Sequence, residues 1–221
     1  MHYGVIGYSG RMGSEIVSLF NASGHINSLL ADENGIRTDS GNTQVMVNFA
    51  LPPSIDGTAE LCRKYKAALV IGTTGLKDEH FESLKKLSGE VPVIQSYNFA
   101  TGINVLKIML REFSQMLDDW DAEIIEVHHN KKKDAPSGTA ILLRDAVLAG
   151  DGNRKDCSIH SLRLGGVPGD HIIEFSNEGE VLTFSHRAIS RTVFAIGALK
   201  AAEFALNAKP GLYSYEEVLK K

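Results

Sequence analysis

The chain has 221 residues, enough for one large domain or two small ones, each with a sizeable core. Its 43% hydrophobic and 23% charged residues are ordinary for a soluble globular protein, and its net charge of −4 argues against nucleic acid as a partner, because phosphate binding takes a basic surface. No run reaches the length of a membrane span, and Met1 leads directly into a strand-like run rather than a signal peptide, so no membrane partner is expected. Cys62 and Cys157 lack metal or redox spacing and read as reduced thiols, which suits a cytoplasmic setting.

Residues Tyr3 to Gly7 read as a short buried strand. They lead into Gly7-Tyr8-Ser9-Gly10-Arg11-Met12-Gly13, after which Ile16, Val17, Leu19 and Phe20 make a helical apolar face. Strand, glycine turn and helix in this order are the setting of a dinucleotide site. In that reading Gly7 permits the tight turn, Gly10 the approach of a pyrophosphate and Gly13 the close packing of helix on strand. The helix N-terminus and Arg11 add positive charge. The spacing is G-x-x-G-x-x-G rather than G-x-G-x-x-G, so the triplet alone also fits an ordinary glycine turn. The next strand, Ile26 to Ala31, ends at Asp32-Glu33, roughly twenty residues past the glycines, where an acid meets the adenosine ribose. No arginine follows Asp32 directly and Arg37 lies some way off, which favours NADH over NADPH, although Arg11 can serve a 2′-phosphate.

Glu33 to Gln44 is polar and broken by Asn and Gly, and reads as a trimmed loop. Val45 to Phe49 is a third strand, followed by a helix from Ser54 to Tyr65 with Ser54 as its N-cap. Ala67 to Ile71 is a fourth strand running into Gly72-Thr73-Thr74-Gly75. A helix over Lys77 to Leu87 and a fifth strand, Val91 to Gln95, lead to Ser96-Tyr97-Asn98-Phe99. Such turns lie at the sheet edge where open α/β proteins bind ligands. The alternation predicts an α/β fold with a doubly wound sheet.

The organisation then changes. Thr101 to Leu117 reads as an amphipathic helix with Val105, Ile108, Met109, Phe113 and Met116 on its apolar face. Trp120 to His128 is a strand and Gly138 to Leu148 a helix, and the polar patch Gly150 to Asp156 is a turn. Ile159 to Leu164, Ile172 to Asn177 and Val181 to His186 read as antiparallel strands, the last two joined by a hairpin at Asn177-Glu178-Gly179-Glu180. From Thr192 to Leu206, Val193, Phe194, Ile196, Leu199, Ala202 and Leu206 line one helical face. Lys209-Pro210-Gly211 stops that helix, and Ser214…Glu217 is a capping box for a last short one. These boundaries predict a Rossmann-type domain from residues 1–99 and 191–221 around an α+β domain with a mixed or antiparallel sheet at 100–190.

The densest chemistry lies in Glu126-Val127-His128-His129-Asn130-Lys131-Lys132-Lys133-Asp134-Ala135-Pro136-Ser137-Gly138-Thr139. Imidazoles move protons near neutral pH, and lysines with a helix N-terminus hold carboxylates. A reductase needs a proton beside each hydride, and His128 or Lys132 can supply it. Their spacing of four puts them on one face if the segment turns helically, with Asp134 or Glu126 as a tuning carboxylate. Gly138 and Thr139 begin a helix that offers a second anion site. No cysteine or third histidine stands at ligand spacing, so a metal is not expected. Ser137 lacks the G-x-S-x-G setting of an acyl-transfer nucleophile. Lys131 and Lys133 are the lysines most readily left to solvent.

These motifs resemble the dihydrodipicolinate reductase family of the diaminopimelate and lysine pathway. The resemblance rests on Gly7…Gly10-Arg11-Met12-Gly13, Gly72-Thr73-Thr74-Gly75, Asn98-Phe99 and Gly102-Ile103-Asn104. It rests further on the stretch from Glu123 to Ala140, Gly169-Asp170-His171, His186 to Arg191, and Gly211-Leu212-Tyr213. It implies hydride transfer from NADH or NADPH to ring carbon C4 of a cyclic imine dicarboxylate, a small substrate. It places a proton donor at His128, a second at Lys132, and substrate contacts at His129, Gly138 and Thr139. Cofactor contacts fall on Gly7, Tyr8, Ser9, Gly10, Arg11, Met12, Asp32, Gly72, Thr73, Thr74, Ser96, Tyr97, Asn98 and Phe99. It also implies a homotetramer built through the second domain's sheet, and domains that close over substrate. The chain departs from the family at Asn48 and Ala50, where an Asp and a small hydroxyl residue are expected, and at Tyr97 in place of a small residue. Another dinucleotide-dependent enzyme, such as an aspartate dehydrogenase, would share the first domain without needing the His-His segment. A non-catalytic nucleotide-sensing module is the third alternative.

Overall fold

The computed structural model describes residues 1–150, 152 and 154–221, so two positions of the polar patch at 150–156 lie outside the described residues. In chain order the elements are β1 (His2–Ile6), α1 (Arg11–Ala22), β2 (Ile26–Asp32), β3 (Gly35–Asp39), β4 (Val45–Asn48), α2 (Ile55–Tyr65), β5 (Ala68–Ile71), α3 (Asp78–Ser88), β6 (Pro92–Gln95) and α4 (Thr101–Phe113). There follow β7 (Asp121–His128), α5 (Gly138–Gly150), β8 (Ser158–Arg163), β9 (Asp170–Ser176), β10 (Val181–Arg187), α6 (Thr192–Ala205), β11 (Gly211–Ser214) and α7 (Tyr215–Leu219). They form two compact units, Met1–Ala100 with Arg191–Lys221, and Thr101–Ser190.

The first unit is built on a seven-stranded sheet in the order β11-β6-β5-β4-β1-β2-β3. All neighbours run parallel except β3, which returns antiparallel beside β2. Successive strand residues point to opposite faces, so each central strand feeds two cores. Val45, Val47, Ala68 and Val70 meet α1, α6 and α7 on one side, while Met46, Leu69 and Ile71 meet α2 and α3 on the other. Strand order reverses between β1 and β4, which places the ligand crevice of such a sheet at their carboxyl ends.

Several expectations change here. Residues 33–44 are not a plain loop: β3 occupies Gly35–Asp39, and all five of its residues are exposed, so no burial period marks it. Ser54 does not cap α2; its hydroxyl donates to the Leu51 carbonyl at 2.8 Å and bonds the Asn48 amide at 3.0 Å. β11 follows the Pro210-Gly211 stop and pairs with β6. The buried face of α6 is small, formed by Ala195, Ala198, Ala201, Ala202 and Ala205, whereas Ile196 is exposed. Gly197 shows why: a Cβ there would stand 1.7 Å from the Phe99 carbonyl oxygen. The capping box of α7 forms as expected, with the Glu217 N–H donating to the Ser214 hydroxyl and the Glu217 carboxylate accepting from Ser214.

The second unit is a four-stranded mixed sheet, β10-β9-β7-β8. β9 and β10 are antiparallel as expected, but β8 pairs parallel to β7, since the whole of α5 lies between them and allows a crossover. β7 alternates, with Ala122, Ile124, Glu126 and His128 buried. α4 and α5 supply Ile103, Leu106, Leu110, Leu143 and Val147 as buried partners. The face expected for α4 is displaced: Val105, Phe113 and Met116 are exposed. Its last turn, Ser114–Leu117, tightens to a 3₁₀ helix. Cys62 and Cys157 are free and buried. Among the described residues no helix is long and apolar enough to cross a membrane.

Candidate active site

In the first unit the positions expected to meet a cofactor lie where parallel strands end. Gly7 leaves β1 with a φ of +78°, and its N–H donates to the Ala31 carbonyl at 2.7 Å. A Cβ on Gly13 would lie 2.0 Å from the Gly7 carbonyl oxygen, so α1 rests directly on the turn. Gly10 enters α1 in an extended conformation and no side chain caps the helix. The first-turn N–H groups are therefore left without a side-chain cap, an arrangement suited to a pyrophosphate. Arg11 is exposed beside them and Met12 packs on the core.

Asp32, the last residue of β2, accepts from the Asn34 N–H at 2.9 Å. That bond, then the Ser9 and Tyr8 side chains, hold its carboxyl below the usual range. The acid and the glycine turn are thus adjacent, as a ribose contact requires. Arg37 is not remote: β3 folds back and sets its guanidinium 5.8 Å from the Tyr8 ring centre. The residues present fit a dinucleotide.

The other predicted contacts divide into backbone and side-chain positions. Thr73 is buried, its hydroxyl 3.4 Å from Asn48 Oδ1, while Thr74 is exposed. Gly72 lies against the Phe49 ring, which a Cβ would strike at 2.3 Å. Phe99 belongs to the core, with its ring 5.4 Å from that of Phe49 and 5.1 Å from that of Tyr215. Ser96 donates to the Asn98 carbonyl at 2.7 Å, and Asn98 Oδ1 accepts from Ala100 N–H at 2.8 Å. Thr73 and Phe99 therefore offer a ligand backbone, whereas Thr74 and Tyr97 offer side chains. Asn48 braces the strand end, because its amide donates to Thr58 at 2.8 Å and its oxygen accepts from Ala50 N–H at 2.9 Å. Ala50 in turn abuts Gly7.

In the second unit the register of the sheet assembles a polar row. Glu126 pairs with Ser161 on β8 and His171 on β9, and His171 pairs with His186 on β10. His128 pairs with Arg163. Directly opposed side chains share a face, so these groups gather on one side of the sheet, with Glu126, His128 and His171 buried. Glu126 is fully buried. One carboxylate oxygen accepts from His128 Nδ1, and the other from Arg163 at 2.8 Å and the Ser137 N–H at 3.3 Å. Burial opposes its charge, but hydrogen bonds from Arg163 and Ser161 and the nearby His128 outweigh that and hold it down at about 2. Burial likewise pulls His128 below its ordinary value, against the attraction of Glu126. His171 stands edge-on to His128 at 5.2 Å, and burial, with His128 beside it, lowers it to about 3.

His128 ends β7, and Lys132 follows in a loop where its N–H bonds the His129 carbonyl at 3.0 Å; the helical turn considered for this segment does not form. The two remain in electrostatic reach, since Lys132 lowers the affinity of His128 for a proton. The tuning carboxylates are shared out: Glu126 serves His128, and Asp134 grips Lys132 through both oxygens, at 2.8 and 2.7 Å. Ser137 accepts from the Ala140 N–H at 3.2 Å and so caps α5, leaving Gly138 and Thr139 as its first turn. His129 is half-buried, and Lys131 and Lys133 are exposed.

Spacing did not reveal Arg163 or the contact of His171 with His128, because register joins residues 37 and 43 apart. Glu126, His128 and His171 bring ligand-type atoms within 4.8 Å of one another, the third histidine that spacing did not show. The Glu126 oxygens are already engaged by Arg163, Ser137 and His128, so the cluster is organised as a hydrogen-bonded acid and base.

A doubly wound sheet with a glycine turn and an acid beside it, joined to a unit that buries a Glu–His pair near a lysine, defines a pyridine-nucleotide oxidoreductase. Two family models divide the chain between them: "Dihydrodipicolinate reductase, N-terminus" matches residues 1–99, and "Dihydrodipicolinate reductase, C-terminus" matches residues 102–219. The chain belongs to this family, whose members are 4-hydroxy-tetrahydrodipicolinate reductases of the lysine pathway and use NAD(P)H.

Among curated relatives, the 4-hydroxy-tetrahydrodipicolinate reductase of Thermosipho africanus is 50% identical over 221 residues, covering 100% of this chain and 99% of that one. That of Caldanaerobacter subterraneus subsp. tengcongensis is 39% identical over 193 residues, covering 80% and 77%. A dipicolinate-bound dihydrodipicolinate reductase from Paenisporosarcina sp. TG-14 shares the fold, with a TM-score of 0.79, 24% identity and 98% of each chain covered. An aspartate dehydrogenase from Thermotoga maritima, the alternative raised by the first domain, is similar in fold at 14% identity, with a TM-score of 0.52 over 95% of this chain and 97% of that one.

Proposed function

We propose that the chain reduces 4-hydroxy-tetrahydrodipicolinate to tetrahydrodipicolinate in the cytoplasm, holding the cofactor on its first unit and the dicarboxylate substrate on its second. The buried Glu126–His128 pair, braced by Arg163, is the observation that supports the assignment most strongly. Bound NADH or NADPH supplies the hydride. His128 supplies the proton; burial lowers its affinity for one overall, and the Glu126 carboxylate beside it works against that loss. Lys132, paired with Asp134 at 2.7 Å, is the second donor. His129 and the first turn of α5 at Gly138 and Thr139 hold the substrate carboxylates, through an imidazole and the N-terminal end of a helix.

Gly7 to Met12 and Asp32 hold the pyrophosphate and ribose, and the turns at Gly72 to Thr74 and Ser96 to Phe99 complete the cofactor site. Asp32 favours NADH, and Arg11 with Arg37 keeps NADPH usable. The face of the second sheet opposite Glu126 carries Ile125, Val127, Leu162 and Ile172, with Leu162 45% exposed. A homotetramer built through this face accounts for that apolar surface.

The test is parallel reduction of freshly prepared substrate with NADH and NADPH by the wild type and His128→Gln. Loss of a general acid should lower kcat about 10²-fold with NADH binding unchanged. Undiminished turnover in the variant removes His128 from the chemistry, and a strong preference for NADPH overturns the reading of Asp32.

A further inference from the structure

We infer that Glu126 is a positioning residue which fixes the His128 ring with Nδ1 as its permanent N–H and Nε2 as the atom that exchanges the reaction's proton. This rests on the reading of His128 as proton donor, and deepens it.

The carboxylate is held from three sides before it meets the ring. Arg163 comes from β8 at 2.8 Å, the Ser137 N–H from the start of α5 at 3.3 Å, and Ser161 from the directly paired position on β8. A fully buried carboxylate with its other lone pairs occupied accepts a hydrogen bond from Nδ1–H and keeps that proton on the ring, away from water. The opposite edge of the ring is kept clear by a glycine. A Cβ on Gly169 would stand 3.0 Å from His128 Nε2, at a φ of +158° that side chains rarely adopt. His171 walls the ring edge-on at 5.2 Å and, held neutral by burial, adds no competing charge.

Protons balance over the cycle. The imidazolium releases the Nε2 proton to the substrate, whose electron pair forms the new bond to it. The ring remains as the neutral Nδ1–H imidazole and regains one proton from solvent for the next cycle. The groups acting on His128 are Glu126 on its own strand, Arg163 on β8, His171 on β9, and Lys132 with its partner Asp134 in the loop, while Asp170 on β9 and His186 on β10 act on His171 behind it. Glu126 favours the imidazolium, whereas burial, Lys132 and Arg163 oppose it. Removing the carboxylate charge therefore lowers the pH at which His128 loses its proton.

The experiment is the pH dependence of kcat for the wild type and Glu126→Gln, with nitrogen resonances of the His128 ring recorded in the wild-type protein with NADH bound. The expected result is a protonated Nδ1 in the neutral wild-type ring, and in the variant a kcat lower by about 10- to 100-fold. The fall of rate with rising pH should also begin at lower pH in Glu126→Gln, with KM for NADH unchanged. A loss of rate equal at every pH, or a neutral wild-type ring protonated at Nε2, overturns the proposal. If Glu126→Gln does not fold, the wild-type resonances still decide. Failure of the proton-donor reading is distinguishable, because it appears as full turnover in His128→Gln whichever nitrogen carries the proton.

Discussion

The two units hold their chemistry by opposite means. In the first, Gly7, Gly10 and Gly13 present backbone, and their spacing is set by how closely α1 can lie on the end of β1. In the second, side chains hold one another: Arg163 and His128 on Glu126, Asp134 on Lys132, Ser137 on the start of α5. A backbone site is spoiled by adding an atom, and a side-chain site by removing a partner.

The sharpest way to break this contrast is to add a methyl-sized group to each unit. Gly13→Ala forces a Cβ toward a carbonyl 2.0 Å away. Overpacking of that severity costs about 3 kcal/mol, which should weaken NADH binding about a hundredfold by titration fluorimetry. Gly138, also at a helix start, has nothing within 4 Å of a Cβ. Gly138→Ala should therefore keep its unfolding free energy within about 0.5 kcal/mol of wild type, and a larger change would show that the two helix starts are not so different.

Asn48 tests whether the first unit depends on backbone alone. Asn48→Leu strands the Ala50 N–H and the Thr58 hydroxyl contact, at a cost of about 1–3 kcal/mol in chemical denaturation. A variant as stable as wild type would show that amide network to be dispensable.

The smallest effect separates the units by acid. Folded His171 takes up a proton at about 3 against 6.5 when unfolded, so the unfolded chain binds more protons from about pH 6.5 downward and stability is lost on acidification toward 3. Glu126, at about 2 against 4.5, is protonated later in the folded state, so its contribution is present above 4.5 and is lost as pH falls toward 2. Melting temperatures between pH 7.5 and 5 should fall for the wild type and fall less for His171→Gln. Equal slopes would mean that His171 is not held neutral.

The same contrast explains what could be read along the chain. Tyr3 to Gly13 was legible because strand, turn and helix are local, and Asp32 because the βαβ spacing is nearly constant. β3 was not, since Gly35-Ile36-Arg37-Thr38-Asp39 buries no face and has no period to detect. The contact face of α6 was misjudged because apolar bulk points to a core, whereas this helix approaches through alanine and Gly197. His128 and Lys132 stood out by composition. Arg163 did not, because a partner 37 residues away is chosen by the register of β7 on β8, which no local pattern encodes.

The segment Arg191–Lys221 returns to finish the first sheet: α6 covers Val47 and Val70, and β11 pairs with β6. On the ribosome this imposes a waiting period. Gln95 ends β6, but the strand that covers its edge begins at Gly211, which at about 5–20 residues per second emerges roughly 6–23 s later. Throughout that interval the nascent chain displays an unpaired strand edge and an uncovered apolar face. The second unit has no such debt, because every strand and helix it needs lies within Thr101–Ser190. The inserted unit can therefore reach its final form on the ribosome while the unit that surrounds it, although begun first, is still incomplete.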